Sequence, residues 1–281
     1  MLKQRIITAL VLLAVLLPAL FYSSPFPFTC VMLVLIGAAG WEWGRLNGYG
    51  PRVSVFLGVE ALALCGLSWW FGLLERPLPV LWAVAGAGWV LAGAALLRAG
   101  PAGWPRIPKA VRVTGGLLAL WAAWLAAVQA RRIGINFLLS ALVLVWVADV
   151  SAYFAGRAFG LRFIQVKLAP SISPGKSWEG VWGGLIGVLV LAFAWTAMDE
   201  AVGASAPSLY SHLAARGVWM LVLGVLFMAV MSVVGDLIES LVKRSVGVKD
   251  SSQLLPGHGG VLDRVDALLP TLPLAMLLLS L

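Results

Sequence analysis

Residues 240–266 concentrate ionisable side chains and glycines between two apolar runs, and they read SLVKRSVGVKDSSQLLPGHGGVLDRVD. Asp236 and Glu239 precede this stretch at the end of the first apolar run. Ionisable groups at membrane depth are energetically unfavourable, so they are usually functional and face a cavity or one another. Carboxylates suit a hard cation, Lys and Arg suit phosphate, and glycines let backbone approach a ligand. These residue types predict phosphoryl-group chemistry at a membrane surface.

The spacing of the acids predicts two facing sets of side chains. Four residues of the first run recur three and four positions apart and so share one helix face: Asp236, Glu239, Ser240 and Lys243. Asp263 and Asp266 are predicted to begin the final helix on a common side. Acids from two neighbouring helices can hold one or two hard cations, with phosphate oxygens and water completing the coordination.

The glycines around His258 permit a close approach of backbone to phosphate: Gly257, Gly259 and Gly260. His258 itself has three interpretations that the sequence leaves open. It could ligate a metal, donate to a phosphate, or serve as a hydrogen-bonded loop residue.

A second cluster, DVSAYFAGRAFG, covers residues 149–160. Asp149 and Tyr153 are four positions apart and share a helix face, and Arg157 follows where a cation suits a helix C-terminus. A structural ion pair or cap formed by Asp149 and Arg157 explains the spacing equally well.

A third cluster, APSISPGKSWEG, covers residues 169–180 and precedes a predicted helix. Its hydroxyls, its backbone N–H groups and Lys176 could bind an anion at the helix N-terminus. The tripeptide GKS lacks the upstream GxxxxG frame and strand of a P-loop, which argues against that motif. The alternative is a helix cap by Ser177 or Ser173, with Glu179 in the first turn.

The composition indicates an integral membrane protein. Hydrophobic residues make up 61% and charged residues 11% of 281, with a mean hydropathy of +0.97, whereas soluble chains carry roughly 25% charged residues. Cys30 and Cys65 lie within apolar runs and show neither metal-ligand spacing nor a disulfide framework. We expect an all-α polytopic bundle.

Apolar runs of spanning length predict about nine transmembrane helices. They cover residues 6–21, 28–43, 53–73, 78–97, 113–128, 137–154, 181–197, 218–241 and 261–281. The first run follows a basic start, but no small-x-small cleavage site follows it, so we interpret it as a retained helix.

The loops predict the orientation. If the N-terminus is cytoplasmic, all but four of the 20 basic residues lie on that side, the exceptions being Arg76, Arg131, Arg132 and Arg216. By the positive-inside rule this places the polar loops in the cytoplasm and the C-terminus outside. We divide the chain into a supporting helical unit, residues 1–112, and a chemical unit, residues 113–281.

Residues 240–266 resemble the signature of phosphatidate cytidylyltransferases (CDP-diacylglycerol synthases). Its elements S-x-apolar-K-R-x4-K-D, P-x-H-G-G and D-R-apolar-D occur in order and spacing. The other clusters are similar to the family's D-x-x-A-Y-x-x-G-R and S-P-K-K-[ST]-W-E-G segments, except that Gly175 replaces a usual lysine. The resemblance covers roughly residues 149–281, and the first ~110 residues match only as hydrophobic helices.

The resemblance implies that CTP and phosphatidic acid react to give CDP-diacylglycerol and pyrophosphate with Mg²⁺. Mn²⁺ is an alternative ion, and a second, monovalent cation is a further option. The expected partners are CTP, phosphatidic acid and membrane lipid, without nucleic acid. A homodimer is compatible with the family, although no residue pattern shows an interface. The expected location is the bacterial inner membrane, with the site facing the cytoplasm.

The resemblance also implies residue roles. The implied metal ligands are Asp236, Asp263, Glu239 and Asp266, with Asp250 as a further acid. The implied catalytic residues are Asp236, Asp263, Lys243, Arg244 and Lys249. The implied substrate-binding residues are Ser173, Lys176, Ser177, Arg157, His258, Gly259, Gly260 and Arg264.

Two other classes of function are alternatives. A CTP-dependent polyprenol or phytol kinase would phosphorylate an alcohol. From labelled CTP it would transfer phosphate to the lipid and release the cytidine part as CDP. A cation-coupled transporter would use Asp149, Asp236 and Glu239 as an ion path, but a basic, glycine-rich loop at one surface does not fit a midplane site.

Overall fold

The computed structural model of the chain describes residues 2–281 and is almost entirely helical. The helices are α1 (Leu2–Phe21), α2 (Phe26–Leu46), α3 (Pro51–Trp70), α4 (Pro79–Ala99), α5 (Lys109–Ile133), α6 (Ile135–Phe159), α7 (Trp178–Val202), α8 (Leu209–Ala214), α9 (Val218–Ser245), α10 (Leu262–Val265) and α11 (Leu268–Ser280). A hairpin of β1 (Lys167–Ala169) and β2 (Ser173–Ser177) lies between α6 and α7.

Eight helices of the described chain, α1–α7 and α9, are long and apolar enough to cross a membrane. This confirms the all-α polytopic fold and the positions of the first eight apolar runs. The ninth run differs, because it is broken into α10 and α11. The 13 residues of α11 extend about 20 Å, less than the ~30 Å of a bilayer core. The short helix α8 and the hairpin were not predicted.

The helices α5 and α11 form the centre of the bundle. Residues 122–131 of α5 are buried on every side, and α11 packs against α4, α5 and α9. The outer helices instead expose large apolar side chains such as Val34, Trp70 and Val80. A helix that is apolar all round is stable in a protein core or in lipid. Helix α4 packs against α9 and α11, whereas α2 and α3 reach the chemical unit through α5.

Small residues bring α2 and α3 into close contact. A Cβ atom on Gly58 would lie 2.7 Å from the carbonyl oxygen of Gly37, and one on Gly44 would lie 2.9 Å from the Cα of Ser54. Such residues let the backbones of membrane helices approach closely. The contact therefore fixes the position of α2.

One end of the bundle gathers the start of α1, the hairpin and the loop after α9. Thr8 donates a hydrogen bond of 2.9 Å to the carbonyl of Pro256, and Gly257 lies against Arg5. At the opposite end, Arg216 donates to the last carbonyl groups of α11. We call the first of these the loop end of the bundle.

Replacing Gly58 by alanine is expected to destabilise the fold by about 1–3 kcal/mol, because the added methyl group would collide with the backbone of α2. Gly66→Ala on the same helix is the matched control, since a Cβ there meets no heavy atom within 4 Å. Thermal unfolding in detergent, followed by circular dichroism, compares the variants. Equal unfolding temperatures for the two variants would contradict the close packing of α2 on α3.

Candidate active site

The three polar clusters meet around a cavity of about 470 Å³ at the loop end. Asp149 and Tyr153 of α6 both line it, which confirms that they share a helix face. Lys176 of β2 and Asp236 of α9 line it as well. The deeper wall is apolar and includes Ala229. The cavity therefore combines charged groups with a wall suited to hydrocarbon.

Lys176 joins the hairpin to α9 through an ion pair. Its Nζ lies 2.5 Å from Oδ2 of Asp236, and the two side chains are only 27% and 29% exposed. Ser240 donates to Oδ1 of the same carboxylate at 3.3 Å, as expected for a residue four positions later. A cation and an anion thus lie together on the cavity wall, where an incoming phosphate or cation can reach either.

Lys243 makes the second ion pair of the site and lies deeper. Its ammonium pairs with Glu239 on the same helix and lies 2.6 Å from Oδ1 of Asp263. Lys243 therefore fills the space between Glu239 on its own helix face and Asp263 of α10. The pair links α9 to α10.

Asp263 is also held by the loop that precedes it. Its Oδ2 accepts hydrogen bonds from the backbone N–H of Ser251 at 2.9 Å, from the Ser251 hydroxyl at 2.8 Å and from the Gly260 N–H at 2.7 Å. Burial raises the pKa of Asp263, but the hydrogen bonds from Lys243, Gly260 and Ser251 outweigh it and hold the pKa below its ordinary value. Asp263 is therefore a stable carboxylate at neutral pH.

Asp266 occupies a different environment, in the turn between α10 and α11. Burial raises its pKa to about 7, and the charges of Asp236 and Asp149 also raise it, against the lowering effect of the Ala267 N–H and of Lys243. Three acids thus lie close enough to repel one another. Among the described residues, no group of three or more His, Cys, Asp or Glu side chains is arranged to hold a metal ion.

The glycine-rich segment turns tightly above Asp263. Gly259 has a φ of +84°, and a Cβ atom there would lie 2.8 Å from Oδ2 of Asp263. Arg264, predicted to bind substrate, donates instead to the backbone carbonyl of His258. His258 donates its own N–H to Leu255 at 2.8 Å. Hydrogen bonds made by Arg264 and His258 therefore stabilise this turn.

Of the other predicted residues, Arg157 lines the cavity, whereas Arg244, Lys249 and Ser173 are not among its lining residues. Arg244 is exposed and contacts the carbonyl groups of Ile172 and Val248 at 3.4 Å. Arg157 donates to the Tyr153 hydroxyl at 3.1 Å. It forms no ion pair with Asp149, so the alternative of a structural pair between these two residues is wrong. Lys249 and Asp250 are exposed on the loop, and Ser173 begins β2.

Ser177 is the N-cap of α7 and accepts the N–H of Gly180 at 3.2 Å. This confirms the capping alternative for the third cluster at Ser177. Glu179, in the first turn, accepts three backbone N–H groups of the segment that follows α6. Its role as a loop anchor was not predicted.

Glu42 of α2 lies at the loop end of the bundle and was not predicted from the sequence. It is completely buried, and it accepts hydrogen bonds from Ser251, Ser252, Val261 and Leu262. The available signal was an isolated acid within an apolar run, which is rare unless functional. The partner could not be found, because it lies 209 positions away.

Comparisons with known proteins show the family of the chain. The sequence profile of the Cytidylyltransferase family matches residues 3–281. The chain is 38% identical over 294 residues to the phosphatidate cytidylyltransferase of Pseudomonas aeruginosa, covering 99% of this chain and 97% of that one. It is 38% identical over 296 residues to the Haemophilus influenzae protein of that name, covering 97% and 96%. Because the family profile and these relatives match nearly the whole chain, the chain belongs to the cytidylyltransferase family.

Proposed function

We propose that this multi-pass membrane protein is a phosphatidate cytidylyltransferase. A phosphate oxygen of phosphatidic acid attacks the α-phosphorus of CTP, forming a new P–O bond. The bond from that phosphorus to the bridging oxygen of the β-phosphate breaks, and its electron pair leaves with pyrophosphate. The observation that carries the proposal is the pairing of Lys176 with Asp236 on a cavity wall, in a chain whose relatives bear this name along nearly their full length.

The residues present suit this transfer. The lipid phosphate is already anionic at neutral pH, so the reaction needs no nucleophilic side chain and no strong base. It does need positive charge that offsets the repulsion between two anionic substrates. Lys176 lies on the cavity wall, and Arg244 and Lys249 are exposed at the loop end. These three cations are proposed to bind the phosphates.

The cavity suits the lipid phosphate. Asp149, Lys176 and Asp236 form its polar part, while Ala229 and Val233 of α9 form an apolar wall. A phosphate could contact Lys176 while its acyl chains follow the apolar wall towards lipid. The nucleotide would then approach from the exposed loop.

A hard divalent cation is proposed to bind two of the acids, with phosphate oxygens of the substrates and water as its other ligands. The charges of Asp149 and Asp236 act on Asp266, and carboxylate oxygens are the ligands that Mg²⁺ prefers. Asp236 and Asp266 are therefore the proposed principal ligands. Asp236 pairs with Lys176 on the cavity wall, whereas Asp263 and Glu239, also predicted as ligands, share the more buried ammonium of Lys243. A bound Mg²⁺ would neutralise phosphate charge in the site.

The proposed location is the bacterial inner membrane, with the loop end in the cytoplasm. Basic residues gather at that end, including Arg5, Lys176, Arg244 and Lys249. The positive-inside rule favours the cytoplasm for such an end, which is also where CTP is found.

Purified protein is given phosphatidic acid and CTP that is labelled in its cytosine base. It is expected to transfer the label into the chloroform-extractable lipid. Pyrophosphate should appear in equal amount. Label recovered only as CDP, with phosphate on a lipid alcohol, would overturn the proposal in favour of a lipid kinase. The absence of any CTP turnover would contradict both the cytidylyltransferase and the lipid kinase functions.

Lys176→Ala is expected to raise the KM for CTP or phosphatidic acid about 10–100-fold, because a hydrogen bond to a charged group contributes about 1.5–3 kcal/mol. Steady-state kinetics in mixed micelles measure the effect. The matched control is Lys109→Ala, whose ammonium stacks on Tyr49 and bonds Gly48 away from the cavity. Unchanged kinetics for Lys176→Ala would contradict its role as a phosphate ligand.

Asp236→Asn and Asp266→Asn are each expected to weaken Mn²⁺ binding by about tenfold or more, because each removes one anionic oxygen ligand. Electron paramagnetic resonance of added Mn²⁺ measures the binding without any turnover. Glu75→Gln, at the opposite end where it pairs with Arg132, is the control. Wild-type affinity in both aspartate variants would exclude these two acids as ligands.

A further inference from the structure

Glu42 holds the two ends of one loop together. Its Oε1 accepts the Ser252 hydroxyl at 2.5 Å and the Val261 N–H at 2.9 Å. Its Oε2 accepts the Leu262 N–H at 2.8 Å and contacts the Ser251 hydroxyl at 3.2 Å. We call residues 251–262 the clamped loop. Both of its ends meet at a single carboxylate on α2.

The environment of this carboxylate is unusual for a membrane helix. Glu42 is 0% exposed, and the ion pairs of the described residues do not include it. An unpaired buried carboxylate is strongly unfavourable unless hydrogen bonds satisfy it. Among the described residues, its charge is compensated by the four donors of the clamped loop, so the loop and the carboxylate stabilise each other.

The clamp is connected to Asp263 through Ser251. The Ser251 hydroxyl lies 2.8 Å from Oδ2 of Asp263 and 3.2 Å from Oε2 of Glu42, so its single proton is shared between two carboxylates. Gly260 lies between them, since a Cβ atom there would come within 2.0 Å of the Ser251 oxygen and 2.4 Å of Oε1 of Glu42. The position of Glu42 therefore determines the position of the donors that hold Asp263.

We infer that Glu42 is a positioning residue of the active site. By closing the base of the clamped loop, it sets the donors around Asp263, and through Asp263 the position of Lys243. Its effect on turnover rests on the proposed function, whereas its effect on the loop does not. The α2 helix thus contributes to the site from outside the chemical unit.

The chemistry requires a carboxylate at this position. Glutamine has one acceptor oxygen, and its NH₂ group would face N–H or O–H donors of the loop. A displacement of about 1 Å at a catalytic group can lower the rate about 100-fold. Glu42→Gln is therefore expected to lower kcat about 10–100-fold while changing KM for CTP less than threefold.

The test combines kinetics with hydrogen–deuterium exchange on detergent-purified protein. Amide exchange within residues 251–262 should become faster in Glu42→Gln, while exchange in α5 stays as in the wild type. Ser252→Ala provides a milder variant, because it removes one donor to Glu42 and keeps the carboxylate, at the further loss of the acceptor of the Leu254 N–H. Its matched control is Ser232→Ala, whose buried hydroxyl bonds only the carbonyl of Ala229 in its own helix.

The outcomes distinguish the positioning role of Glu42 from the proposed function of the protein. Faster loop exchange with reduced kcat supports the inference, and Ser252→Ala should show a smaller change of the same kind. Unchanged loop exchange and unchanged kcat in folded Glu42→Gln would overturn it. If Glu42→Gln does not fold, wild-type exchange and kcat in Ser252→Ala would overturn it instead. A wild-type protein that forms no labelled lipid would refute the proposed function, while the exchange data would still decide the role of Glu42.

Discussion

The ammonium of Lys243 is buried between two carboxylates, and the arrangement of the last helices depends on it. It pairs with Glu239 on α9 and with Asp263 on α10, and none of the three side chains is more than 11% exposed. Removing one partner of a buried ion pair is destabilising by about 3–5 kcal/mol, because the remaining charge is unpaired. The second negative charge is balanced by the N–H groups of Ser251 and Gly260. The end of α9, the loop and α10 therefore form one electrostatic unit.

Two further carboxylates anchor loops without any cation. Glu179 accepts the N–H groups of Leu161, Phe163 and Ile164 at 2.9–3.2 Å, as Glu42 does for the clamped loop. Leu161 has a φ of +62°, a strained conformation that persists only where the surroundings determine it. Both anchors lie on membrane helices. Carboxylates on the membrane helices thus anchor both the segment after α6 and the clamped loop through hydrogen bonds.

The sequence predicted the parts of the structure that depend on local pattern. Long apolar runs locate spanning helices because their length must match the bilayer, and the spacing of Asp236 and Lys243 defines a helix face. The six residues of α8 carry no such signal. Contacts made far along the chain, such as Glu42 with Ser251, leave no trace in local spacing, because folding alone brings them together. The pairing of Lys243 with Asp263 was missed for the same reason.

Two acids three positions apart, Asp263 and Asp266, have different partners. Asp263 bonds Lys243 and the loop, whereas Asp266 accepts the Ala267 N–H and its pKa is raised by the charges of the cavity acids. This turn can approach α9 only because Gly235 has no side chain, since a Cβ atom there would lie 2.5 Å from the Asp266 carbonyl oxygen. Asp263 therefore stabilises the fold, and Asp266, which pairs with no cation in the structure, is the acid proposed to bind a ligand.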